Sequence, residues 1–465
     1  MERALATWVV AALCLVFVTT ATVITAGQEQ AGTSLLVAAK ENVHGQLQAL
    51  VKDGSAINDS EADGTTALHW AAYHDNILAA DLLIRAGADV DSANDLGATP
   101  LWIASQNGSD TMVKTLLRGG ANPNVSLLSG ETPLMVASRA GAHGAVKQLL
   151  AEGADTATAA TRGQTALMWA VAERHADIVD VLLTHGTDIH RRSDVWKQVM
   201  AVPPHGKLDY NRDIPHGGNT ALLFAARVGD LPSAKLLVTA GANVNDTNAW
   251  GVSATVLAAH SGYVELVEYL LDHGADPNLA DAGFGALHEA VMRRDERMVA
   301  TLLAHGADPN ITLETWTPTR RSSRDYNFSP SLVGATPFWL AARFAQPNLM
   351  VLLAEYGADP FFVHDLEYTP DSLAGSRAGT IREATTTLMA AVGMGGRRRL
   401  RTWVPPDLNQ IETQVLESVK LIIDLGAAVN AANVDGRTAL DGATALGYES
   451  VIDFLVEHGA QPGSI

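Results

Sequence analysis

Apolar residues recur along this chain in two linked blocks. The first reads T-A/P-L followed by small residues: TALHWAA at 66–72, TPLWIAS at 99–105, TPLMVAS at 132–138, TALMWAV at 165–171, TALLFAA at 220–226, SATVLAA at 253–259, GALHEAV at 285–291 and TPFWLAA at 336–342. Weaker copies are TTLMAAV at 386–392 and TALDGAT at 438–444. The second block follows each of these, as in LLIRAGADVD, LLRGGANPN, LLDHGADPN and LLAHGADPN. Thr or Ser ahead of the first block suits a helix N-cap, and Pro at the next position suits the first helical turn. Leu and two small residues at helical spacing predict a helix that another can approach closely. The second block predicts a helix closed by a left-handed Gly, and its Ala-Asp/Asn-x-Asn tail predicts a turn. Gly64, Gly97, Gly130 and Gly163 place these units 33 residues apart. One such helix pair has no interior of its own, whereas stacked copies form a continuous core.

A period of 33 with T-P/A-L-H-x-A-A and L-L-x-x-G-A-D-x-N resembles the ankyrin repeat, over about residues 33–462. The resemblance implies an all-α solenoid of about ten to eleven helix-turn-helix repeats with hairpin-like fingers, occupying residues 33–465. At roughly 8–10 Å per helix layer it would be a curved rod on the order of 100 Å long. Residues 34–58 lack the opening turn and read as an N-terminal cap, and 434–462 as a C-terminal one. The resemblance also implies that the positions after the small pair line a concave binding face: Tyr73, His74, Gln106, Asn107, Arg139, Arg227, His260, Arg293, Arg343 and Phe344, with Trp250 at a finger tip. The stripe Trp70, Ile103, Val136, Trp169, Phe224, Leu257 and Leu340 is read as packing between successive first helices.

Three insertions interrupt the period, at about 191–217, 313–332 and 395–411. The first two fall ahead of an opening turn, so they are expected at the finger edge. The third falls between the two helices of one repeat and is expected at the opposite edge. Residues 366–385 replace one finger with a longer connector. The insertions hold twelve Lys and Arg against six acids, and each carries a tryptophan: Trp196, Trp316 and Trp403. Arg and Trp are favoured anchors at interfaces, and long loops on rigid scaffolds often carry function. Three readings stay open: the loops contact a partner, they fold back onto the acidic body with each Trp filling a groove, or they are plain solvated loops.

The whole chain of 465 residues has a net charge of −19, which argues against nonspecific nucleic-acid binding. The same acidity suggests a protein partner with a basic patch. Cys14 is the one cysteine, so disulfide frameworks and multi-Cys zinc sites are excluded. It lies in an N-terminal apolar stretch, and residues 1–26 read as a secretory signal cleaved after Ala26; the rival is a membrane anchor over 5–24. An exported protein, periplasmic or secreted, is therefore expected, with membrane contact only if that segment is uncleaved. A bacterial source and a monomer are expected too.

Fifteen histidines invite a metal or catalytic reading. His69 and His288 occupy the structural H of the repeat, while His185, His273, His305 and His458 precede the Gly that ends a second helix, where a cation is favoured. No H-E-x-x-H, G-x-S-x-G or P-loop pattern occurs. The Arg run at 397–401 could hold an anion. No catalytic residue, metal or cofactor is assigned. The expected function is a non-catalytic scaffold that binds a partner protein through the concave face, finger tips and inserted loops. The alternative is a small-molecule or anion binder whose insertions roof a pocket.

Overall fold

A computed structural model describes residues 34–200, 212–317, 328–368, 381–396 and 402–464. The proposed signal segment and Arg397–Arg401 lie outside the described residues. Among those described, 22 α-helices form eleven consecutive pairs. They are α1 (Leu35–Lys40) and α2 (His44–Lys52), α3 (Ala67–Tyr73) and α4 (Ile77–Arg85), α5 (Pro100–Gln106) and α6 (Asp110–Arg118), and α7 (Pro133–Ala140) and α8 (His143–Ala151). Then come α9 (Ala166–Ala172) and α10 (Ala176–Thr184), α11 (Ala221–Val228) and α12 (Leu231–Thr239), and α13 (Ala254–Ser261) and α14 (Val264–Asp272). The last four pairs are α15 (Ala286–Arg293) with α16 (Glu296–Ala304), α17 (Pro337–Arg343) with α18 (Pro347–Glu355), α19 (Thr387–Ala391) with α20 (Ile411–Asp424), and α21 (Ala439–Leu446) with α22 (Glu449–Glu457). First helices pack on the first helices of neighbouring repeats and second helices on second helices, giving two layers.

The two layers close over one core. Leu83, Leu116, Leu149, Leu182, Leu237, Leu270, Leu302 and Leu353, each four residues before the terminal Gly of a second helix, are all fully buried. The small residues of the first block, such as Ala104, Ala137, Ala170, Ala225 and Ala258, are equally inaccessible and let neighbouring helices approach. Thr99, Thr132, Thr165, Ser253 and Thr336 cap their helices by accepting from a backbone N–H three residues on.

Hydrogen bonds tie each repeat to the next. Asn58, Asn124, Asn245, Asn278, Asn310 and Asn430 each accept, through Oδ1, from a backbone N–H of the following repeat at 2.7–2.8 Å. Each also donates, through Nδ2, to a glycine carbonyl there at 2.9–3.2 Å. Asp91 makes the accepting half of this rung to Asn122 N–H. The equivalent positions are Ala157, His190 and Phe361, so the Asn rung is missing between pairs four and five, five and six, and nine and ten. At the second gap Arg192 takes over: Nη1 donates to the carbonyls of Gly218 and Thr247, and Nη2 pairs with Asp246 at 2.8 Å. At the third, the Thr387 hydroxyl donates to the Pro360 carbonyl.

Several fingers stack through a backbone bond, for example Asp95 N–H to Asp63 O at 2.8 Å and Leu128 N–H to Leu96 O at 3.0 Å. The approach is so close that a Cβ on Gly251, whose φ is +88°, would sit 2.8 Å from the Asp281 carbonyl carbon of the next finger. This is the reason for a glycine every 33 residues.

Two antiparallel hairpins depart from the expected all-helical chain. β1 (Val195–Met200) pairs with β2 (Arg212–Gly217), from Val195 opposite Gly217 to Met200 opposite Arg212. β3 (Val363–Tyr368) pairs with β4 (Ile381–Thr386) in place of a finger. Each lengthens the ordinary finger turn into a ladder, a local solution that helical periodicity does not report.

A motif histidine also bridges repeats. His69 Nδ1 accepts from the Thr66 N–H at 3.1 Å, and Nε2 lies 2.9 Å from the Ala98 carbonyl of the next repeat. His288 repeats the first bond with Gly285 N–H at 3.1 Å, and burial holds its pKa down to about 4, with the Ile311 and Ala335 carbonyls opposing that shift. The ring accepts at Nδ1 only while neutral. Unfolded, it takes up a proton near pH 6.5; folded, only near 4. Its contribution is therefore complete above about 6.5 and drains away as pH falls toward 4, by up to ~3 kcal/mol. Urea unfolding across that window is expected to show this slope, and His288→Gln to flatten it. Replacing Asn278 by Ala is expected to cost about 1 kcal/mol through its lost rung. Ala157→Asn, which supplies a missing rung, is expected to raise the urea midpoint.

Candidate functional site

The exposed side of the first-helix layer divides into an open half and a covered half. The open half spans α3 to α11. Tyr73 is 60% exposed and meets Trp70 edge-on at 5.7 Å. His74 stacks on Trp70 at 6.2 Å, and its Nε2 lies 2.8 Å from the Lys40 carbonyl, so this candidate contact is also a tie to the first repeat. Asn107 donates back to the Ala72 and Tyr73 carbonyls. Gln106 and Arg227 are exposed. Arg139 lies over the Trp169 ring, 4.6 Å from its centroid, and the Trp169 indole donates to Gln164 Oε1 at 3.0 Å. At the finger edge Trp196, on β1, is stacked on His216 at 5.7 Å, with Arg162 over its ring at 4.6 Å.

The covered half begins at α13, where the second and third insertions meet. Phe328, from the second, is fully buried against Phe284 at 5.3 Å and Trp403 at 5.5 Å. Trp403, from the third, donates its backbone N–H to the Met292 carbonyl at 2.7 Å and its indole N–H to Glu289 Oε2 at 2.7 Å. The third insertion therefore does not stay at the far edge: it turns back over the first helices. Its start is pinned at 395–396, where Arg343 Nε donates to the Gly395 carbonyl at 2.7 Å and Gly396 N–H donates to Glu383 Oε2 at 2.6 Å. Trp250 is half-buried, edge-on to Phe284 at 5.7 Å. Trp316 is half-buried in the descending part of the second insertion.

Glu289 is the residue that sequence reading missed. It stands in the apolar stripe, at the place held elsewhere by Trp70, Ile103, Val136, Trp169, Phe224, Leu257 and Leu340. It is fully buried. His260 Nδ1 lies 2.8 Å from the same Oε2 that accepts from Trp403, and Oε1 has no hydrogen-bond partner. A buried carboxylate needs such donors, because desolvation otherwise costs several kcal/mol. The lone acid in an apolar stripe was the legible signal, but only the fold shows what covers it.

Several positions expected on the binding face are accordingly internal. Phe344 is 8% exposed and packs in the core rather than on a binding face. Arg293 Nη1 donates to the His260 carbonyl at 2.8 Å, tying two repeats together. Arg343 serves the third insertion, and burial lowers its pKa to about 10, with Glu383 opposing. Trp403 and His260 belong to the cover over Glu289.

Among the described residues, no group of three or more His, Cys, Asp or Glu is placed to hold a metal ion. No helix among them is long and apolar enough to cross a membrane. Trp403→Ala is expected to loosen the third insertion, read as faster limited proteolysis within 395–411, with little change at the fingers of the open half. Glu289→Leu, which restores the stripe but removes the indole acceptor, is expected to loosen the same segment without unfolding the array.

The family model for ankyrin repeats (three copies) matches residues 35–127, 101–193 and 222–312, together more than half of the chain. Mouse Rabankyrin-5 is 27% identical over 234 residues, 50% of this chain and 15% of that protein. Palmitoyltransferase AKR1 of Lachancea kluyveri is 32% identical over 123 residues, 26% of this chain and 16% of that protein. The DNA replication inhibitor plutonium of Drosophila melanogaster is 35% identical over 104 residues, 22% of this chain and 59% of that protein. The chain thus spans less than two thirds of each of these relatives. The crystal structure of the human ASB11 ankyrin repeat domain aligns with 52% of this chain and 98% of that one, at 27% identity and a TM-score of 0.43. Ankyrin repeats are generally protein–protein interaction modules. With the repeat motif, the stacked helix pairs and the family model in agreement, this chain belongs to the ankyrin repeat family.

Proposed function

We propose that the chain is a non-catalytic scaffold that binds a partner protein on the open half of its first-helix face, from α3 to α11, together with the adjoining finger edge. The observation that carries this reading is the division of the face. The insertions occupy the C-terminal half with Phe328 and Trp403, while Tyr73, Gln106, Arg139 and Arg227 remain accessible on a rigid floor. Side chains held by stacking and by bonds to neighbouring repeats lose little freedom on binding, which favours affinity. The described parts of the second and third insertions act as a cover for the scaffold rather than as partner anchors. A small-molecule pocket under them is the weaker reading, because aromatic rings fill the place where the two insertions meet. The relatives' named activities concern proteins that this chain matches only in part, and none is carried over to it.

We also propose export, on the strength of the N-terminal apolar stretch ending at Ala26, with an anchor over 5–24 as the competing outcome. Mass spectrometry of the mature chain is expected to give Gly27 as its first residue; an intact N-terminus in a membrane fraction points to the anchor instead.

The binding site is tested by a photo-crosslinking residue placed singly at Tyr73, Gln106 or Arg227, and at Lys114 or Lys147 on second helices. One discrete adduct is expected from the first three positions in the producing cells. Equal crosslinking from Lys114 and Lys147, or none from the face, would overturn the reading.

A further inference from the structure

Across pairs four to six the open face carries arginines without acidic partners, in a chain whose net charge is −19. Arg139, Arg162 and Arg227 belong to pairs four to six and their fingers. Among the described residues, no carboxylate lies within ion-pair distance of any of them. Glu173 and Asp194, acids of the same stretch of chain, are exposed and unpaired with these arginines. Two of the three guanidinium groups are spread over indoles, Arg139 on Trp169 and Arg162 on Trp196. Stacking fixes the plane of a guanidinium and leaves its edge N–H donors available, which suits bidentate recognition of a carboxylate. Phe224, on the next first helix, is half-buried and supplies apolar floor beside Trp169.

We propose that this Arg–Trp groove across pairs four to six docks an acidic segment of a partner protein, with an apolar side chain seated between its carboxylates. The inference rests on the protein-binding reading above and gives the partner its chemistry. A basic partner, expected from the net charge, does not suit this groove: the acidic body governs long-range attraction, whereas the contact itself is cationic. Nucleic acid fits less well, since a net charge of −19 repels a long polyanion while a short segment meets only the groove. Spacing adds a constraint. Arg139 and Arg227 stand two first helices apart, and Arg139 leans toward the second of the three helices. Their cationic groups are then separated by one to two helix layers, on the order of 10–20 Å. An extended chain advances about 3.3 Å per residue, so the carboxylates belong roughly three to six residues apart.

The test uses the full chain and fluorescein-labelled synthetic nonapeptides with two Glu residues three or six positions apart and a Leu between them. Controls are the Gln and Lys counterparts and an oligo-dT of matched charge. Fluorescence anisotropy is expected to show saturable binding of at least one acidic peptide, at least tenfold weaker binding of its Gln counterpart, and loss of binding as salt rises. The double variant Arg139→Gln/Arg227→Gln is expected to lose tenfold or more with an unchanged urea midpoint. Arg139→Glu/Arg227→Glu is expected to prefer the Lys peptide. Absence of binding by every acidic peptide, equal binding of the Lys peptides or oligo-dT, or wild-type binding by the double variants overturns the proposal. If face crosslinks persist while acidic peptides fail, the chemistry assigned here is wrong and the binding face stands; if the crosslinks fail too, the face itself is wrong.

Discussion

Everything in this molecule depends on contacts between repeats rather than within them. A single helix pair buries one Leu of its second helix and leaves its flanks apolar; only a neighbour completes the burial. The hydrogen bonds follow the same logic. An Asn in one turn satisfies a backbone N–H and a carbonyl of the next repeat, a motif His reaches the residue ahead of the next helix cap, and several fingers donate a backbone bond to the finger before them. Stability in such an array is carried by nearest-neighbour interfaces, so a change at one junction is felt locally.

That locality explains where the irregular segments sit. The Asn rung is missing at Ala157, His190 and Phe361, and hairpins or substitute bridges occur beside the latter two. Arg192 shows how an insertion replaces what it displaces: one guanidinium reaches two carbonyls and a carboxylate. The two junctions that lack the rung around pair five also carry the Arg–Trp groove.

The covered half follows a different principle. A carboxylate in an apolar stripe is costly to desolvate, and the third insertion supplies an indole N–H to one of its oxygens. The second insertion adds Phe328 from the other edge, so the cover is held by a polar bond and by aromatic packing at one place. Desolvated, the Glu289–Trp403 bond is stronger than it would be in water, and leaving the carboxylate without it would be costly. This asymmetry leaves the N-terminal part of the face open and covers the rest without any part of the array differing in fold.

The sequence by itself determined the repeat and, to within one unit, its count, because a period of 33 is set by bonds and burials that most units make alike. Thr caps, the buried Leu and the terminal Gly are legible in each copy for that reason. It also marked Tyr73, Gln106, Arg139 and Arg227, variable positions after the small pair that are exposed in the fold. Only the tertiary structure decided that Phe344, Arg293 and Arg343 point inward, that the connectors at 195–217 and 363–386 are hairpins, and that Trp403 crosses back to Glu289. Those outcomes join residues more than a hundred positions apart in one case, and no local periodicity encodes a contact made once.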